Sequence, residues 1–75
     1  MSASEVTPVL RRLGQRYDGV NEQLDNYFES GMRGEEPDPS QFFALLQKRQ
    51  VSQQAMEATM KLHEKGKKAA LNESK

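Results

Sequence analysis

Seventy-five residues with a mean hydropathy of −0.91 and a hydrophobic share of 35% leave room for one domain and a small core, which excludes a large enzyme fold. Eleven basic residues balance eleven acidic ones, so no global excess of either sign points to nucleic acid or to an anionic membrane. The chain has no cysteine, hence no disulfide, thiolate nucleophile or cysteine zinc site, and no apolar run near the ~20 residues that a bilayer span needs.

Residues 1–6 read as a flexible amino terminus, and Met1-Ser2-Ala3-Ser4-Glu5 lacks the basic flank and apolar stretch of a cleaved secretory signal. Val6, Leu10, Leu13, Tyr17, Val20, Leu24 and Tyr27 recur at alternating spacings of 4 and 3, a heptad seam that lies on one side of an α-helix. The first helix is predicted over about 8–30. Thr7-Pro8 marks its start, because the hydroxyl accepts amide bonds left open there and proline suits the first helical position. Ser30-Gly31-Met32-Arg33-Gly34 supplies its stop, and Phe28 widens the stripe just before it. Gly14 and Gly19 each cost about 1 kcal/mol relative to alanine, so this helix is soft when alone. A break at the turn dipeptide Asp18-Gly19 is the rival to a continuous helix.

An acidic connector over 31–38 follows, with the turn Pro37-Asp38-Pro39 at its end. Asp38-Pro39-Ser40-Gln41 announces the second helix, with Asp38 as cap, Pro39 in the first turn and Gln41 able to close a capping box. This helix is predicted over about 39–65, about 27 residues and 40 Å long. Lys61, His63 and Lys65 then sit near its carboxyl end, where positive charge is favoured. Gly66 reads as a left-handed terminator, or as an interior glycine if the helix runs on through Lys67-Lys68-Ala69-Ala70-Leu71. Residues 67–75 read as a basic, frayed tail. Two helices with a short connector lie antiparallel, so the expected fold is all-α: a two-helix hairpin over 7–66, completed by oligomerisation or by a partner.

On the second helix Phe42, Leu46, Met56 and Met60 fall close together, with Leu45 at the margin. They are predicted to pack against Leu13, Tyr17, Val20 and Leu24 as the hairpin seam, leaving Met32 exposed in the loop. Val51, Ala55, Ala58 and Leu62 fall on the opposite side. A two-helix hairpin has nothing else to cover them, and chains this short rarely gain more than about 3 to 5 kcal/mol from one core. These four residues are therefore the predicted partner-binding face. Charge is uneven: seven acids and one base lie between Asp18 and Asp38, whereas Arg11, Arg12, Arg16, Lys61, Lys65, Lys67 and Lys68 belong to the chain ends. A hairpin with these elements has an acidic closed end and a basic open end.

Chemistry has little to stand on. His63 is the only imidazole, and the sequence holds no set of ligands for zinc or calcium, so neither catalysis, metal nor cofactor is expected. The basic tail lacks aromatic interleaving for nucleic acid and a bulky apolar edge for a membrane surface.

The soft first helix, the turn Pro37-Asp38-Pro39 and the opening Phe42-Phe43-Ala44-Leu45-Leu46-Gln47 of a long second helix resemble the needle-subunit family of bacterial type III secretion systems. They are similar as well to the small helical accessory proteins of Hrp-type systems in plant-pathogenic bacteria. The resemblance implies a non-catalytic virulence component, an accessory or co-chaperone for the needle or pilus subunit, or a relative of that subunit. It implies a helical-repeat secretion chaperone and a filament subunit as partners, and a place in the bacterial cytoplasm or export through the type III channel. The polar ending Leu71-Asn72-Glu73-Ser74-Lys75 favours the accessory role over polymerisation. The alternative of a different class is a small homodimeric helical regulator that binds nucleic acid or an acidic protein.

Overall fold

The computed structural model of the chain describes residues 3–73. Two helices, α1 (Ala3–Met32) and α2 (Pro39–Glu73), pack against each other as an antiparallel hairpin, and no strand occurs among the described residues. The molecule is a rod of 64 × 17 × 13 Å. Tyr27 stacks on Phe42, and ten residues earlier Tyr17 meets Arg49. Extending these contacts brings Val6 level with the turn from Met60 to His63, so about two to three turns of α2 project past the start of α1.

The first helix begins at Ala3, five residues before the predicted start, and residues 3–6 are helical rather than a flexible lead; Met1 and Ser2 lie outside the described residues. Val6 explains the difference. It is the first member of the heptad stripe and the most deeply buried hydrophobic residue, 4% exposed, and it reaches that position only if the helix already runs through it. Pro8 therefore sits inside α1, where its ring costs one backbone donor close to the helix end, away from the long interior ladder. The helix continues through Gly19 without a break, and both Gly14 and Gly19 have open space around the position of a Cβ.

The end of α1 is a glycine cap. Gly34 adopts φ +84°, its N–H donates to the Gly31 carbonyl at 3.1 Å, and the Glu35 N–H donates to the Ser30 carbonyl at 3.1 Å. That is the Schellman pair of bonds, which satisfies carbonyls the helix end leaves open. Arg33 bridges Glu29 and Glu35 at 4.0 and 3.5 Å, exposed contacts of small energetic weight.

The second helix starts at Pro39, as the cap signal implies, but passes Gly66 without a left-handed turn and continues to Glu73. Residues 67–73 are thus helical, not a frayed tail, while Ser74 and Lys75 lie outside the described residues. Lys61, His63 and Lys65 consequently lie within the helix, well before its carboxyl end.

The seam departs from expectation on α2. Val20, Leu24 and Leu45 form its buried centre with Phe42 packed against them, and Leu13, Tyr17 and Met56 are half-buried alongside. Leu46 is exposed and so is Met60, at 53%; both lie outside the seam. The inward positions of α2 are Phe42, Leu45, Ser52, Met56, Thr59 and His63, joined by Arg49, whose guanidinium lies over the Tyr17 ring. Their spacing is a heptad in the phase of α1, but four of the seven side chains are polar, so an apolar pattern alone points to the wrong side.

Replacing both Gly14 and Gly19 by alanine should stabilise the hairpin by about 1 kcal/mol per site, since neither glycine serves a close approach. Gly34→Ala should destabilise it by about 1 kcal/mol, because the left-handed cap penalises a Cβ. Thermal melting followed by far-ultraviolet circular dichroism separates the two signs.

Candidate interaction surface

Packing α1 against one side of α2 divides the rest of the rod into two flanks. On the first, Val51, Ala58 and Leu62 project to solvent, with Val51 and Leu62 each 57% exposed. Ala55, predicted to belong to this face, is instead half-buried at the edge of the seam, where its carbonyl accepts a hydrogen bond from Thr59 Oγ1 at 2.8 Å. A shallow groove runs between the helices here, with Val20 and Ser52 beneath it and Ala44 and Val51 on the α2 wall. Its α1 wall carries Gly19 between Arg16 and Gln23, so the groove has one apolar and one small polar side chain at its base and a polar rim.

The second flank is richer in large apolar groups, and reading periodicity alone misses it. Phe42 sits among aromatic rings: Tyr27 stacks on it at 5.4 Å between centroids, while Phe28 and Phe43 approach at 5.7 Å. Phe42 is thereby half-covered, but Phe43 remains 67% exposed and Phe28 half-exposed. Leu46 and Met60 follow along the same side of α2, since 100° per residue returns them near the direction of Phe42. The adjacent pairs Tyr27-Phe28 and Phe42-Phe43, one on each side of a short connector, are the signal in the chain that points to this cluster. Met32, the last residue of α1, is also exposed.

The turn caps the closed end. Asp38 Oδ1 accepts the Ser40 N–H at 3.0 Å, and the Ser40 hydroxyl donates to Asp38 Oδ2 at 2.8 Å. These bonds, the hydroxyl first, hold the Asp38 carboxyl below its ordinary value of 3.8. The reciprocal partner in the cap is thus Ser40, while Gln41 contributes its backbone N–H to the Asp38 carbonyl. Pro39 is exposed at the first helical position and Pro37 is half-buried beside it. An open, polar hollow lies under the connector, lined by Glu35, Glu36, Asp38 and Lys48 beside Tyr27.

Midway along the rod, Arg49 Nε and Nη2 donate to the Tyr17 hydroxyl at 3.3 and 3.2 Å, and the guanidinium carbon lies 5.5 Å from the ring centroid. The Arg49 bonds, followed by one from Asn21, lower the Tyr17 phenol below 10.0. This contact fixes the register of the two helices with a side chain that remains wetted at its tip. His63 is half-buried in the seam, with Nδ1 shielded from solvent and without a hydrogen-bond partner. Among the described residues no group of three or more His, Asp or Glu gathers where it could hold a metal ion, and no helix is long and apolar enough to cross a membrane.

Compared with protein-family models, curated proteins and solved structures, the chain matches none.

The Asp38 cap has a pH dependence of fixed sign. A carboxyl with a lowered folded-state pKa stabilises fully above its ordinary value and ceases to do so as pH falls through the lower folded value. The melting temperature should therefore hold between pH 7 and about 4 as far as this cap is concerned and drop below that, with a smaller drop in Asp38→Asn. A series of melts across that range checks both slopes.

Proposed function

We propose that the chain is a non-catalytic protein-interaction hairpin, an accessory or co-chaperone for the needle or pilus subunit of a bacterial type III secretion system. The observation that carries this reading is the balance of apolar side chains. Four hydrophobic residues are buried, Val6, Val20, Leu24 and Leu45, whereas eight large ones are exposed among the described residues. The chain exposes 6032 Å², against about 4,650 Å² for a compact monomer of 8.5 kDa, an excess of roughly 1,400 Å². Surface of this kind is what a binding partner removes from water.

The first flank suits a concave, helical-repeat partner such as a secretion chaperone. Val51 and Leu62 stand 11 positions apart on α2, about three turns, with Ala58 between them low enough to admit a partner helix. Interior glycines in α1 let that helix adjust as the partner closes on it. The hairpin form and the proline-bracketed turn Pro37-Asp38-Pro39 resemble those of small secretion hairpins, and they support the finer assignment to that system.

Co-expression with the helical-repeat chaperone and the filament subunit of the secretion system it serves tests the reading. A soluble complex containing all three chains is expected on gel filtration. Val51→Glu together with Leu62→Glu should remove the hairpin from that complex while its helical signal alone stays unchanged, because both side chains already face solvent. Binding that survives the double substitution would overturn the assignment of the face. Salt-dependent DNA binding by the isolated chain, with no affinity for either protein, would favour a homodimeric regulator instead.

A further inference from the structure

The second flank is self-complementary, and we infer that two copies of the chain pair through it in opposite directions to close a four-helix bundle. This pairing uses the flank that the proposed function leaves free, although both draw on the same excess of exposed surface. Three observations carry it.

Apolar groups occur along the flank as a cluster of Phe28, Phe43 and Leu46 near the connector, as Met60 further along α2, and as Leu71 near the far end of α2. From Leu46 to Met60 is 14 residues, or about 21 Å along the helix. A two-fold axis midway, level with Gln53, places the aromatic station of each copy on Met60 of the other, as an isologous interface requires. Gln53 is exposed and lies on the same side of α2 as Phe42 and Met60.

The same axis sets the charges in register. Lys67 and Lys68, in the part of α2 that projects past α1, come level with the connector of the second copy, where Glu35, Glu36 and Asp38 lie. Both ends of the pair gain this match together. A parallel pair would set acid against acid at one end and base against base at the other, which disfavours it. A second copy is thus the occupant that fits the poles and the apolar stations at once.

Area agrees with the geometry. A standard interface buries about 800 Å² per partner, and the chain carries an excess of roughly 1,400 Å² over a compact monomer of its mass. One such pairing fits within that excess and leaves the groove beside Val51 open.

Because the chain has no cysteine, single introduced thiols report the arrangement directly. Only a residue at the two-fold axis meets its own copy in an antiparallel pair. The full chain carrying Gln53→Cys should oxidise at micromolar concentration to a disulfide-linked species of twice 8.5 kDa, whereas Glu64→Cys on the same flank should stay unlinked. Sedimentation of the cysteine-free chain should give the doubled mass, and Phe43→Glu or Met60→Glu should each weaken association at least tenfold while Val51→Glu leaves it unchanged. Cross-linking at both cysteine positions would mean a parallel pair, and a monomer at every concentration would mean no pair; either result overturns the inference.

Discussion

Polar side chains on the inward face of α2 are the constraint from which the other properties follow. A heptad seam normally supplies apolar groups from both helices, but here α1 meets Arg49, Ser52, Thr59 and His63 at four of the seven inward positions. Each large apolar side chain fully buried is worth about 1.5–3 kcal/mol before entropy is counted. With three of the four buried hydrophobics gathered at Val20, Leu24 and Leu45, that stabilisation is concentrated in the closed half of the hairpin. Toward the open end the helices are held by Val6 and by contacts that tolerate water, such as the guanidinium of Arg49 on Tyr17. The apolar groups that a self-sufficient hairpin would turn inward are displaced to the flanks.

What was legible in the chain follows from where hydrophobic pattern and backbone chemistry agree. The stripe from Val6 to Tyr27 is apolar throughout, so the inner face of α1 could be read from spacing alone. The Asp38-Pro39-Ser40 cap and the glycine stop at Gly34 are local devices whose bonds involve neighbours only, and they too were readable. On α2 the apolar residues belong mostly to the outside, so the more apolar arc contains Leu46 and Met60, whereas the buried positions are Leu45 and Ser52. Carrying the heptad phase from Phe42 through polar residues would have found the right side. At the amino terminus, Thr7-Pro8 is the stronger local start signal, whereas burial of Val6 governs the fold. Gly66 misled for a related reason: at about 1 kcal/mol, an interior glycine is a weak obstacle to a helix with strong formers on both sides.

The two flanks divide the labour of covering this surface. One is a grooved face of small and medium side chains; the other is an aromatic and methionine face. On the proposed reading, such a layout links a thin core to association. For a chain of this size without cysteine, a partner that buried the flanks would add stability by mass action, so association and folding would draw on the same surface.

Urea unfolding of the chain at sub-micromolar concentration, followed by circular dichroism, tests the central claim most directly. If the seam alone is too thin, the isolated hairpin should unfold with a stability below about 3 kcal/mol and a broad transition. A steep, concentration-independent transition with a stability above about 5 kcal/mol would contradict it, since the buried side chains would then suffice by themselves.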